Sequence, residues 1–189
     1  IGEGQRVVEA VQRSGRMFRV NTWFRFKDTF YGMGTEVKPL KKIVQSGDLG
    51  DITHCHTWQA GMSKKEGWGK PTETTPPPGL DWDLWLGPTP KVPFNLNRWG
   101  IAPGRWSTFR YFWDYAGGAM TDWNVHLLDI VQYAFDEVMP VKYASVGSKF
   151  FVSDNTETPD TMVASYHYPK FLCTYESRTA APAPMFDMG

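Results

Sequence analysis

RYFWDYAGGAMTDWNVHLLDIVQYA, residues 110–134, decides how this 189-residue chain is read. Two glycines, Gly117 and Gly118, open a helix expected from about Gly118 to Phe135. Asp122, His126 and Asp129 follow at intervals of four and three, and residues four and seven apart on an α-helix are displaced by only about 40° and 20°. The three ionisable groups therefore form one stripe, while Leu127, Ile130, Val131 and Ala134 cover other faces that can bury against a sheet. A carboxylate one turn from a histidine orients the imidazole and favours its protonated form, and a histidine so held can take a hydroxyl proton near neutral pH. The glycines let another group approach the helix start, where free N–H groups favour anions or polar oxygens. The same stripe also suits a solvated helix face, or a histidine tied to a carboxylate in a core.

Working outward, residues 3–14 place Val7, Val8 and Val11 at helical spacing with Gly15 as a stop, and residues 16–26 alternate like a strand. A second helix is expected from about Glu36 to Gln45 and a strand over 51–60. Residues 61–79 are a loop by composition, DWDLWLG (81–87) a short helical turn with Asp81 at its start, and 88–107 irregular. After the central helix, 141–152, 161–168 and 171–179 read as strands, the last two joined by a hairpin at Pro169-Lys170. This order predicts α/β plus α+β: residues 1–27 the end of an α/β domain, residues 28–189 a second domain on a mostly antiparallel sheet.

Bulk composition excludes some functions. Twenty basic residues balance twenty acidic ones, which gives no electrostatic case for nucleic acid or an anionic membrane. No apolar run approaches the roughly 18 residues that span a bilayer. Cys55 and Cys173 match no metal or redox motif and leave the compartment open. Aromatic residues make up 15%, several in loop-like stretches, which suits either a sugar-binding cleft or a Trp-filled core. The chain opens at Ile1 inside helical periodicity and reads as an internal piece of a longer protein.

DWDLWLGP (81–88), RYFWDYAGGAM (110–120), TDWNVHLLDIVQYA (121–134) and the later ETPDTMVASYHYPKFLCTYESR resemble, in that order, signatures of the glucose–fructose oxidoreductase / inositol dehydrogenase / MocA family. The resemblance implies a Rossmann domain followed by a domain with a large antiparallel sheet, with substrate between them and NAD or NADP as cofactor. It implies that residues 1–27 are the last helix and strand of the Rossmann domain. The Gly-rich fingerprint and the E-K-P lysine, neither of which occurs here, would then lie upstream. Carried over by motif position, His126 is the catalytic histidine and Asp122 the substrate-binding aspartate of a D-x-x-x-H pair, with Asp129 in support. The implied reaction is oxidation of a secondary hydroxyl of a sugar, polyol or glycoside. Asn124 stands where the motif expects glycine and is a candidate for contact with substrate or cofactor.

Arg25, at the end of the first strand, is where the family often carries a cleft-facing arginine, and Asn21 and Trp23 share its strand face. His56, with Trp58, is a candidate edge of the cleft. His54 and His56 alternate at a spacing that can bind metal, but no further ligand is near in sequence and no metal is expected. Arg105, Arg110 and Trp113 precede the glycines as further candidates, and Asp114 as a brace. Trp82 and Trp85 read as packing and 157–160 as a turn between strands. Two other functions stay open: glycoside cleavage through transient oxidation, and a non-catalytic module of the same fold. A homo-oligomer paired through the open sheet face is expected from the resemblance, as is a soluble protein of a bacterial cytoplasm or periplasm.

Overall fold

The computed structural model describes residues 2–20, 37–61, 64–103, 105–137 and 139–179. Helix α1 spans Gly2–Ser14 and stops at Gly15, whose N–H donates to the Val11 carbonyl. The strand expected over 16–26 is not formed across 16–20, which are exposed and without regular structure; 21–26 lie outside the described residues. Extended backbone needs a neighbouring strand to satisfy its N–H and C=O groups, and none lies beside 16–20 among the described residues.

Helix α2 (Val37–Ser46) and strand β1 (His54–Ala60) follow, then two short helices, α3 (Trp82–Leu86) and α4 (Leu96–Trp99). Asp81 caps α3 by accepting the Leu84 N–H at 2.9 Å. Trp82 and Trp85 stack at 4.7 Å, and the Trp82 indole donates to the Val92 carbonyl. Both rings therefore pack the loop layer, as their spacing suggested. A two-stranded ribbon, β2 (Ile101–Ala102) with β3 (Arg105–Trp106), lies in the stretch expected to be irregular.

The main sheet has the order β1-β6-β5-β4, with β4 at Lys142–Ser148, β5 at Thr161–His167 and β6 at Leu172–Arg178. β1 runs parallel to β6 and the other pairs are antiparallel, so the sheet is mostly antiparallel, as expected. The β5–β6 hairpin closes where Tyr168 donates to the Phe171 carbonyl at 2.9 Å. β4 stops at Ser148 rather than running to 152, because Asp160 takes the N–H groups of Phe150, Phe151 and Val152.

Helix α5 (Val125–Phe135) packs on one face of this sheet and against α2. Its Val131 joins Cys173, Tyr168 and Phe171, with Leu128, Phe135 and Cys55 at the margin. Leu127 and Met120 meet Met162, Ala164 and Tyr175. Each such fully buried large side chain contributes about 1.5–3 kcal/mol of transfer free energy. On the α2 side, Leu40 packs on Ile130 with Trp123, and Lys41 and Gln45 bind Asp136 at the α5 C-terminus. The helix is thus clamped by its apolar sides, and its remaining stripe is left for polar groups.

Candidate active site

The segment leading into α5 is not a plain α-helix. Met120–Asn124 form one π-helical turn before Val125, and a π turn inside a helix often marks a functional position. Thr121 and Asp122 both donate to the Gly118 carbonyl, at 3.2 and 3.0 Å. Gly118 has φ +62°, and a Cβ there would sit 2.5 Å from the Thr158 hydroxyl, so only glycine makes this entry without strain. Asp122 stands in the π turn and His126 in the first α turn after it, both half-buried.

Asp122 is held from outside the helix. Thr108–Tyr111 form a 3₁₀ turn, fastened by the Thr108 hydroxyl on the Asn97 carbonyl at 2.6 Å. From this turn Arg110 Nε donates to Asp122 Oδ1 at 2.6 Å, and the guanidinium lies over the Phe109 ring. The Arg110 carbonyl accepts the Gly118 N–H at 2.9 Å, so one residue fixes both the helix entry and its carboxylate. Tyr111 is adjacent: burial, and then the Asp122 charge, push its phenol up, against the pull of Arg110.

His126 titrates below the usual imidazole range. Burial lowers it, and the charges of Asp122 and Asp129 pull back upward without cancelling that effect. The imidazole is therefore predominantly neutral at neutral pH and able to accept a proton. The Arg110–Asp122 ion pair and the Tyr111 phenol thus stand beside a neutral base, His126.

Two sequence candidates sit elsewhere. Asn124 is 3% exposed and turns toward the sheet, its amide donating to Tyr166 Oη at 2.5 Å and to the Met120 sulfur. It braces the helix on β5 and does not face the Asp122–His126 stripe. His56 alternates with Cys55, which packs under α5, so His56 and Trp58 occupy the opposite sheet face. There His56 Nδ1 and His54 Nε2 both meet the Thr174 hydroxyl, at 2.8 and 2.9 Å. Among the described residues no three His, Cys, Asp or Glu side chains come close enough to hold a metal ion.

Trp113 is exposed and lines an open groove of about 520 Å³ with Gly117, Met120 and Thr121, next to the helix start. Arg105 supports the loops instead, donating to Asn97 Oδ1 and the Trp68 carbonyl. Asp114 braces Arg98, which also binds Glu157. Arg25, Asn21 and Trp23 lie outside the described residues. Sequence reasoning missed the pairing of Arg110 with Asp122, and missed Tyr111. Twelve positions separate Arg110 from Asp122 across a 3₁₀ turn and a loop, so no periodicity announces the contact.

Residues 33–166, more than half of the chain, match the sequence model of the Gfo/Idh/MocA oxidoreductase family's C-terminal α/β domain. No functionally curated protein matches the sequence. Among solved structures, yvaA from Bacillus subtilis, described as an oxidoreductase, is 19% identical with a TM-score of 0.58 over 96% of this chain and 38% of its own. The WlbA dehydrogenase from Bordetella pertussis, solved with NADH and UDP-GlcNAcA, is 16% identical with a TM-score of 0.55 over 98% and 43%. An oxidoreductase from Desulfitobacterium hafniense, described as NADPH-dependent, is 13% identical with a TM-score of 0.59 over 94% and 38%. The chain therefore spans about two fifths of the length of these structures, and what they share with it at such identity is the fold. The sequence match and the sheet-and-helix arrangement together make this chain a member of the Gfo/Idh/MocA oxidoreductase family, carrying its C-terminal α/β domain.

Proposed function

We propose that this domain supplies the substrate side of an NAD(P)-dependent oxidoreductase that oxidises a secondary hydroxyl of a sugar, polyol or glycoside. The observation that carries the reading is the half-buried, neutral His126 one turn after an Arg110-bound Asp122, on a helix entered through a π turn. Oxidation of an alcohol by a nicotinamide needs a proton acceptor at the hydroxyl, and the bound cofactor supplies hydride acceptance. His126 takes the hydroxyl proton. Asp122 accepts hydrogen bonds from neighbouring substrate hydroxyls, and its charge favours the imidazolium as it forms. Arg110 holds the Asp122 carboxylate in place. The chain contains no G-x-G-x-x-G turn, so the residues upstream expected from the resemblance would cradle the dinucleotide's phosphates. Residues 1–27 would be the end of that Rossmann domain and 28–189 the substrate domain.

The WlbA neighbour's UDP-GlcNAcA makes a sugar-derived ligand the first class to test. Trp113, beside the helix start, offers a ring on which a pyranose can stack. The opposite sheet face carries Trp58, Val163 and Val146 in one row with Glu176, and is our candidate surface for self-association.

The test is the full-length protein with NAD or NADP and a panel of sugars, polyols and glycosides. Net NAD(P)H formation that is lost in His126→Ala supports the reading. Glycoside cleavage without net cofactor change would replace it with the oxidation–elimination reaction. Failure of every substrate, with His126→Ala indistinguishable from wild type in substrate binding, would leave the non-catalytic module.

A further inference from the structure

Outside the candidate site, the chain's two cysteines meet. β1 and β6 run parallel with Cys55 opposite Cys173 in register. Neighbouring strands lie about 4.7–4.9 Å apart, inside the roughly 4.4–6.8 Å Cα separation that a disulfide spans. Register partners project to the same face, and both thiols lie under α5 with Leu128, Val131 and Phe135. We propose that Cys55 and Cys173 are a dithiol site that a hydroperoxide closes reversibly to a disulfide between β1 and β6.

The two sulfurs are not equivalent. Cys55 is half-buried, whereas Cys173 is fully buried. The neighbouring Cys173 thiol lowers the Cys55 thiol against the upward effect of burial; Cys173 itself is pushed up, first by Cys55 and then by burial. The thiolate thus forms at the reachable sulfur, as attack on an oxidant requires. Cys55 S⁻ attacks the terminal peroxide oxygen, the O–O bond breaks, and an alcohol (or water, from hydrogen peroxide) leaves after taking a proton. The resulting Cys55 sulfenic acid is attacked by the Cys173 sulfur. The S–S bond forms, the S–O bond breaks, and the hydroxyl departs as water with the Cys173 proton. One hydroperoxide is reduced by two electrons and two thiols are oxidised. Two small apolar side chains filling a core would not need the shared register that sets these thiols opposite each other.

The bond would close a loop holding α3, α4, α5 and both candidate catalytic residues, so the oxidised chain should melt at a higher temperature than the reduced one. The experiment treats the reduced, folded full-length protein with hydrogen peroxide, alkylates it in denaturant and maps tryptic peptides 43–64 and 171–178. The expected result is one unalkylated, cross-linked pair, two hydrogens lighter, that dithiothreitol restores. In Cys173→Ser, Cys55 should stop at a sulfenic acid captured by dimedone. Two alkylated thiols after peroxide, or Cys55 oxidised to sulfinic acid with Cys173 still alkylated, would overturn the proposal. The wild-type map needs no variant to fold, so a misfolded mutant does not decide the outcome.

Discussion

Asp160, at the head of β5, and Asp122, in the turn that enters the central helix, are both carboxylates, yet their surroundings differ. Asp160 is 4% exposed and accepts the N–H groups of Phe150, Phe151 and Val152 and the Thr161 hydroxyl, between 2.7 and 3.1 Å. Burial alone would raise it, but those donors outweigh burial and hold it below the ordinary carboxylate value. Nearby Asp154 is similarly filled by Lys149, Thr156 and the Trp68 N–H. Asp122 keeps about a quarter of its side chain exposed, takes Arg110 on one oxygen and stands one turn from a titratable imidazole. A saturated carboxylate builds a fold, and one with capacity left can receive a ligand.

The difference is broken most directly by removing the base. In the full-length enzyme His126→Ala should lower kcat by about 10²–10⁴-fold, the usual worth of a general base, with thermal stability little changed. Wild-type kcat should be full above the lowered His126 value and fall as pH drops through it, because protonation removes the acceptor. A variant that kept wild-type turnover would end the comparison.

Asp160→Ala should do the reverse, leaving three backbone donors without their acceptor. We expect a cost of about 3 kcal/mol, which for a chain of this size is a fall in Tm of roughly 6–12 °C by calorimetry. Because Asp160 titrates below its unfolded value, its contribution is full above that value and is lost as pH falls through the folded one. Asp160→Asn should therefore flatten the acid side of the stability curve. Gly118→Ala comes next, at about 2 kcal/mol, combining a left-handed backbone with a Cβ pressed on Thr158.

Periodicity made the large elements readable. The stripe of Leu127, Val131 and Ala134 and the alternation in β5 and β6 needed no tertiary information. What stayed hidden was non-local. β4 ends where it does because Asp160, eight to ten residues beyond the N–H groups of Val152 and Phe150, captures backbone donors that would otherwise extend the strand. α4 and the β2–β3 ribbon are four and two residues long, too short for a period, and rest on Asn97 and Arg105. Within the site, D-x-x-x-H spacing singled out Asp122 and His126 as candidates, but spacing did not say which way Asn124 and His56 would face. Spacing gives an angle around a helix or a side of a strand, but which side faces the core is decided by what packs there. For Asn124 that was Tyr166, and for His56 it was the neighbouring Cys55 that went under α5.

Arg110 gives the smallest and sharpest prediction. If Asp122 is the open carboxylate of the pair, then its partner arginine sets how much of that negative charge reaches His126. Arg110→Gln removes a positive charge and frees Asp122, and both changes favour the imidazolium, so His126 should titrate at higher pH than in the wild type. Asp129 on the same helix, Tyr111 beside Asp122, and Lys38 and Lys41 on α2 remain in place and contribute equally to both proteins. The imidazole C–H resonance, assigned by comparison with His126→Gln, reads the shift directly without any substrate. Arg110→Lys restores the charge but not the planar fork, and should recover most of the titration but less of the turnover. An unmoved His126 titration in Arg110→Gln would mean that Arg110 only fastens the helix entry through its carbonyl, and that Asp122 is as structural as Asp160.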